Sequence, residues 1–244
     1  MSSSQKPLAL MAIIHPKTEE KREQILSLLP KSFFRAPATN CTTWCYLSPS
    51  TRKGALKGLL PPSSPPVIIG LEIYTSPASL GYVQNASEFK SFMAQVESQD
   101  LYAKDEDQTA WYPTAGFLAR SSTQTPPAGL AVLAKFVAKD GAENTKKLVE
   151  VLGNYCNWVR DNEPTTLTYC VLTRPKAPNE VLLFERYQDL AAIGAHGKTK
   201  EFKNMFKGTG PYLQGKLTRL EEFEEIDGSF VSNQPGGGAS QPKL

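Results

Sequence analysis

The chain has 244 residues, 40% of them hydrophobic and 21% charged, and its 27 basic and 24 acidic side chains leave a net charge of +3. These values suit a soluble globular protein of one large or two small domains. They are too mild to call for nucleic acid or an anionic membrane as partner, and no apolar run approaches the roughly 20 residues that cross a bilayer.

Residues 1–7 read as a loose leader. Leu8 to Ile14 is an apolar run of strand length; it lacks the small-residue cleavage site of a signal peptide and is followed by His15-Pro16, which reads as loop chemistry at a strand exit. Thr18 with Glu19 and Glu20 behind it can open a helix, because acidic side chains suit the positive end of the helix dipole. Ile25, Leu28 and Leu29 recur at helical spacing, and Pro30 ends or kinks that helix. Thr42 to Leu47 reads as a strand with Trp44 and Tyr46 on one face and Thr43, Cys45 and Leu47 on the other. Cys41 and Cys45 would share a strand face, but two histidines in the whole chain leave a zinc site poorly supplied, so no metal is expected. The four cysteines read as buried free thiols, which fits a reducing, cytoplasmic setting.

Residues 48–66 form a long connection rich in Ser, Lys, Gly and Pro, read as a mobile surface insertion; Pro61-Pro62 and Pro65-Pro66 exclude regular ladder pairing. Val67 to Tyr74 is the next strand, Ser76-Pro77 starts a helix, Asn85 to Glu88 starts another, and Trp111 to Leu118 is a strand interrupted by Pro113. Residues 121–128 read as a linker. Leu130 to Ala134 then opens a second cycle. Asp140-Gly-Ala-Glu143 resembles a capping box, and Leu148, Val151, Leu152, Tyr155 and Val159 mark one helical face. Val181 to Phe184 is a strand, Asp189 a helix N-cap, and Phe202, Met205 and Phe206 belong to a last helix that Gly208-Thr-Gly210-Pro211 breaks. Tyr212 to Leu220 reads as the closing strand, and the chain from Asp227 onward as a disordered tail that includes Gly236-Gly237-Gly238.

The second cycle repeats the first. Leu8 to Ala12 matches Leu130 to Ala134 at an offset of 122 residues, and Thr43-Trp44-Cys45 matches Thr168-Tyr169-Cys170 at 125. Leu71 to Val83 matches Phe184 to His196 without a gap at 113, and the fall in offset lies where the first half carries its Pro-rich insertion. Each half therefore reads as β-α-β-β-α-β, the ferredoxin-like order. The fold class is α+β: two tandem ferredoxin-like repeats, residues 8–120 and 129–226, that pair the bare faces of their sheets into an intramolecular barrel. The matched stretches share Glu72/Glu185, Tyr74/Tyr187 and a helix cap, but His196 has no counterpart, since Val83 stands there.

From Leu130 to Tyr212, about 80 residues, the second half resembles the antibiotic biosynthesis monooxygenase (ABM) family of the dimeric α/β-barrel superfamily. The residues that carry the likeness are Asn162-Glu163-Pro164, Phe184-Glu185-Arg186-Tyr187, Ala191, and His196 followed by Phe202. The first half resembles the family more weakly, so the chain looks like a tandem duplication. The resemblance implies a monomer with an internal pseudo-dimer, with further homodimerisation left open. It also implies cofactor-independent oxygenation of a small aromatic or polyketide substrate, with molecular oxygen as co-substrate. Such a substrate, once deprotonated, can itself give an electron to oxygen, so the protein need only bind it, favour its anion and exclude water.

His196 carries over from the family motif as a proton-transfer residue and Tyr187 as a phenolate-binding one. Trp158, Tyr155 and Tyr169 could wall the substrate or simply form core. Arg186 is a further binding candidate, although it points away from Glu185 and Tyr187 on the same strand. Glu185 and Glu72, present in both halves, read as structural. A cyclase, isomerase or decarboxylase acting on a similar substrate is one alternative, and a non-catalytic ligand-binding or stress-associated barrel another. The chain has no Gly-rich dinucleotide or P-loop motif and no Gly-x-Ser-x-Gly elbow. A haem-degrading reading would want an Asn in Leu130 to Phe136, which has none.

Overall fold

Each half of the chain folds in the expected order. A computed structural model describes residues 6–29, 33–34, 36–61, 66–120, 126–226 and 229–232. The leader up to residue 5, Pro30, Pro62, Pro65, linker residues 121–125 and the tail at 227–228 and 233–244 lie outside the described residues. The first half runs β1 (Leu8–Ile14), α1 (Glu19–Leu28), β2 (Cys41–Pro49), β3 (Ile68–Tyr74), α2 (Pro77–Asn85), α3 (Ser87–Ser98) and β4 (Asp107–Phe117). The second runs β5 (Leu130–Val137), α4 (Ala142–Asn162), β6 (Thr166–Thr173), β7 (Glu180–Tyr187), α5 (Leu190–His196), α6 (Lys200–Thr209) and β8 (Arg219–Glu225), with a short β9 (Val231–Ser232) behind it.

Helix starts follow local chemistry. Thr18, Ser76 and Asp189 each accept a hydrogen bond from an otherwise orphaned first-turn amide. The capping box at Asp140 does not form: Gly141, at φ 100°, is the N-cap of α4, and the Asp140 carbonyl instead accepts from the Asn144 side chain. The closing strand starts at Arg219, because two short 3₁₀ turns, at Gly210–Tyr212 and Gly215–Leu217, occupy the start of the segment expected to be strand.

Within the first half the strands lie in the order β2-β3-β1-β4, and within the second β6-β7-β5-β8; all pairings are antiparallel. The fourth strand of each repeat pairs with the second strand of the other, β4 with β6 and β8 with β2, which closes an eight-stranded barrel. Strand alternation then sorts side chains into three apolar layers. The barrel interior holds Met11, Cys45, Leu71, Trp111, Leu133, Cys170, Phe184 and Phe223, among others. One helix layer, around Trp44, Tyr74 and Phe92, belongs to the first half; the other, around Leu152, Tyr155 and Tyr187, belongs to the second and takes in Phe117 from β4.

Three expectations change. All four cysteines are free and buried, but Cys41 and Cys45 face opposite sides, because a register shift between Cys41 and Thr43 turns the strand. The described part of the insertion is tied to β8 rather than left mobile. Glu221 Oε2 accepts from the successive amides of Gly58, Leu59 and Leu60, Arg52 pairs with Glu222, and Ser50 N and Leu56 O bond the Glu222 backbone. The tail is ordered over residues 229–232: the Ser229 side chain bonds both backbone groups of Tyr46, Phe230 is buried, and β9 pairs with Thr43 and Trp44.

Gly116 sits in the β4–β6 junction at φ +92°, and a Cβ there would lie 2.0 Å from the Tyr169 carbonyl oxygen. Gly116→Ala is expected to cost about 3 kcal/mol in urea denaturation; an unchanged midpoint would show that the junction can spread at no cost. Both repeats also keep a Glu–Tyr pair: Tyr74 donates to Glu72 at 2.7 Å and Tyr187 to Glu185 at 2.5 Å. Burial pushes Glu72 up to about 7, against the lowering effect of the Tyr74 bond. A carboxyl raised in the folded state is disfavoured there once ionised, so stability falls as pH rises from the unfolded value through about 7. Glu72→Gln should therefore gain about 1 kcal/mol over wild type near pH 8.5, a figure discounted for part-exposure, and gain nothing near pH 4.5. Equal effects in denaturation curves at the two pH values would refute the burial argument.

Candidate functional site

The sequence candidates lie on four elements of the second half, and the fold brings most of them together. Tyr155 and Trp158 project from α4, Tyr169 from β6, Tyr187 from β7 and His196 from the end of α5. His196 is 3% exposed, and its ring centroid lies 5.6 Å from Tyr155, 5.3 Å from Tyr169 and 5.3 Å from Tyr187. Phe202 of α6 closes the cluster edge-on at 4.9 Å. Trp158 stands one layer out, stacked on Tyr155 at 5.8 Å and 8°.

The polar geometry is directional. His196 Nδ1 lies 2.7 Å from Glu163 Oε2, which also accepts from the Thr166 hydroxyl at 2.9 Å. The Tyr155 and Tyr169 hydroxyls lie 3.5 Å from Nδ1 and Nε2 respectively, at the limit of hydrogen-bond reach. With a carboxylate on Nδ1, the neutral imidazole carries its proton there and leaves Nε2 as the basic nitrogen. Burial pushes the Glu185 carboxyl up to about 7, opposed by the nearby His196 and by the Tyr187 hydrogen bond. Burial also raises the phenols of Tyr155, Tyr169 and Tyr187, so they serve as neutral donors. The arrangement can accept a proton at Nε2, balance the resulting imidazolium with Glu163, and offer phenolic donors to an oxyanion.

Arg186 stands apart from this cluster. It points into the barrel interior, where its Nε lies 2.6 Å from Glu225 Oε2, its guanidinium carbon 3.4 Å from the Phe230 ring centroid, and Nη2 bonds the Pro126 carbonyl. Strand alternation accounts for this, since β7 sends Glu185 and Tyr187 to the helices and Arg186 the other way. His15, the second histidine, pairs with Asp107 at 2.7 Å in the first half. Glu163 was not among the sequence candidates. Its signal was the Asn-Glu-Pro triplet, read there only as a mark of family likeness.

In the first half the corresponding space is filled by packing. Trp44 takes the place of Tyr169 and Val83 that of His196, and Phe34 stacks on Trp44 at 5.0 Å. The surface cavities among the described residues lie elsewhere and are not bordered by His196; two of them flank the barrel. One of about 830 Å³ lies beneath the insertion, between Arg22, Lys57 and Glu221, and one of about 620 Å³ between the start of α4 and the β4–β6 junction, at Tyr112, Val149 and Arg174. Among the described residues no group of three or more His, Cys, Asp or Glu side chains could hold a metal ion, and no helix is long and apolar enough to cross a membrane.

Comparison with known proteins bears on the fold and on the second half. No curated protein sequence matches the chain. Among solved structures, the "putative monooxygenase" of Lactobacillus acidophilus superposes with a TM-score of 0.72 at 14% identity, over 96% of this chain and 98% of that one. The "putative monooxygenase" of Fusobacterium nucleatum does so with a TM-score of 0.72 at 16% identity, over 96% of each chain. An "anthrone oxidase-like protein" follows with a TM-score of 0.55 at 13% identity, over 98% of this chain and 99% of that one. At these identities the likeness establishes the fold, and its near-complete coverage extends to both repeats. The sequence profile of the antibiotic biosynthesis monooxygenase family matches residues 130–208, the segment that contains Tyr155, Glu163, Tyr169, Tyr187 and His196. Residues 130–208 of the chain thus match the antibiotic biosynthesis monooxygenase domain.

Proposed function

We propose that the second repeat oxygenates an electron-rich aromatic of the anthrone class with molecular oxygen, using neither metal nor flavin. The observation that carries this reading is the His196–Glu163 pair, 2.7 Å apart inside an enclosed ring of tyrosines. His196 Nε2 takes the acidic proton of the anthrone, Glu163 balances the imidazolium, and Tyr169 donates to the oxyanion that forms, joined by Tyr187 once its hydroxyl turns from Glu185. The anion passes electrons to oxygen. One oxygen atom becomes the new carbonyl of the quinone and the other leaves as water with the two hydrogens of the ring carbon. Phe202, part-buried, covers His196 edge-on and packs in turn on Phe206, which is 40% exposed, so a substrate that reaches His196 from this side displaces the Phe202 ring. Support for oxygenation over other anion chemistry comes from the family match and from the name of the anthrone oxidase-like neighbour.

The enclosure of His196 favours one competing reading, a barrel that holds an aromatic ligand without turning it over. Oxygen uptake with a panel of anthrones separates the two. Uptake is expected in wild type without added metal or flavin. It should fall about 10² to 10⁴-fold in His196→Ala and about tenfold in Tyr187→Phe. Binding without uptake would leave the ligand-binding barrel.

Glu185 adds a pH dependence. While Glu185 is protonated, transfer of the substrate proton to His196 leaves the charge of the cluster unchanged. As pH rises through about 7, Glu185 ionises and its charge opposes the substrate anion. The rate constant for turnover should therefore decline above about pH 7, and Glu185→Gln should abolish that decline. A profile of the same shape in the variant would remove Glu185 from the mechanism.

A further inference from the structure

Glu163 lies just beyond the last residue of α4, where helix carbonyls are left without amide partners and where a chain end would be expected to fray. Asn162 Nδ2 bonds the Trp158 carbonyl within the last turn, and a second side chain reaches that end from the other repeat. Arg120 follows β4 of the first half, and its guanidinium donates to four backbone carbonyls of the second. Nε reaches Thr166 O at 2.5 Å, Nη1 reaches Arg160 O at 2.8 Å, and Nη2 reaches Glu163 O at 2.6 Å and Val159 O at 3.3 Å. The guanidinium carbon also sits 4.7 Å from the Phe117 ring centroid, which keeps its plane fixed. A cation at a helix C-terminus is favourable in itself. Here its planar fork also spans the whole turn from residue 159 to 166, the segment that holds both Glu163 and its partner Thr166.

We propose that Arg120 is a positioning residue for the second-repeat site: by pinning this turn it holds the Glu163 carboxylate against His196 Nδ1 and so keeps Nε2 as the basic nitrogen. The first repeat, which lacks the histidine, thereby completes the site of the second. The consequence for turnover rests on the reading of His196 as a base, but the positioning itself can be measured without substrate.

With only two histidines in the chain, long-range proton–nitrogen NMR correlations of the ¹⁵N-labelled protein resolve the tautomer of each imidazole. Wild type should show His196 as the Nδ1–H form, with that proton protected from solvent. In Arg120→Met, which keeps the stem and loses the donors, the proton should exchange about tenfold faster or vanish, and an Nε2–H form should appear. Glu163→Gln should give the same loss, and Arg120→Lys should restore part of the protection. The His15 signals, in the first half, should stay unchanged throughout. A wild-type His196 pattern in Arg120→Met, or an equal change at His15, overturns the proposal. Should Arg120→Met not fold, Arg120→Gln decides on the same signals, with a wild-type pattern overturning it and partial loss supporting it. A chain that shows the expected pattern but consumes no oxygen with any anthrone would sink the oxygenase reading alone.

Discussion

A ferredoxin-like sheet carries helices on one face only, and the apolar residues on its other face must be covered. The rest of this structure follows from how the chain meets that need. Each repeat turns Met11, Leu71 and Trp111, or Leu133, Phe184 and Phe223, toward its twin, and the two sheets close on one another. Closure needs partners for the outer strands, so the fourth strand of each repeat joins the second strand of the other. Side chains at the end of β4 therefore enter the helix layer of the second half. Phe117 packs there, and Arg120 reaches the end of α4. The second-repeat site is thus built from both halves by the geometry of closure.

The interior is not purely apolar. Arg186 and Glu225 are each almost fully buried and stand 2.6 Å apart. An ion pair taken out of water gains little unless its remaining donors and acceptors are met. Here Arg186 also reaches Thr168 and Pro126 and lies over Phe230, while the second Glu225 oxygen accepts from the Ala128 amide. The groups that satisfy the pair come from β6, β7, β8, the segment before β5 and the tail. A slip of β7 by one residue would send Arg186 to the helices and Glu185 into the barrel, leaving buried charges without partners. The pair thus fixes register and holds the tail in place, which explains why residues 229–232 are ordered in a stretch whose composition reads as disordered.

The repeat was legible because its residues recur at fixed offsets, and strand alternation gave the facing of Trp44, Tyr46 and Arg186 correctly. What escaped were features that depend on partners distant in the chain. The register shift at Cys41 is set by pairing with β3, so the spacing of Cys41 and Cys45 puts them on one face until that pairing is known. The insertion looked free because the groups that hold it, Glu221 and Glu222, lie about 160 residues further on. His196 was visible as an unmatched residue between the two copies. Glu163, 33 residues before it, had no local signal as its partner, since that contact exists only once α4 has brought its end beside α5.

Fusion of two copies also explains how the halves could part. In a symmetric dimer of single repeats, any change at one site appears at both. In one chain each site changes alone. Both halves keep the buried Glu–Tyr pair, whose burial raises the carboxyl to about 7 in each. A raised carboxyl is a cost to the fold, and its presence in both halves argues that the pair was already there when the two were alike. The second half surrounds the pair with His196, Glu163 and Tyr169, groups that can exchange protons with it. The first half has no histidine beside it: Trp44, Phe34 and Val83 pack there, with Cys41 and Tyr46 as its neighbouring titratable side chains in the same layer. Fusion lets the two halves differ around the same pair, which a dimer of identical repeats does not allow.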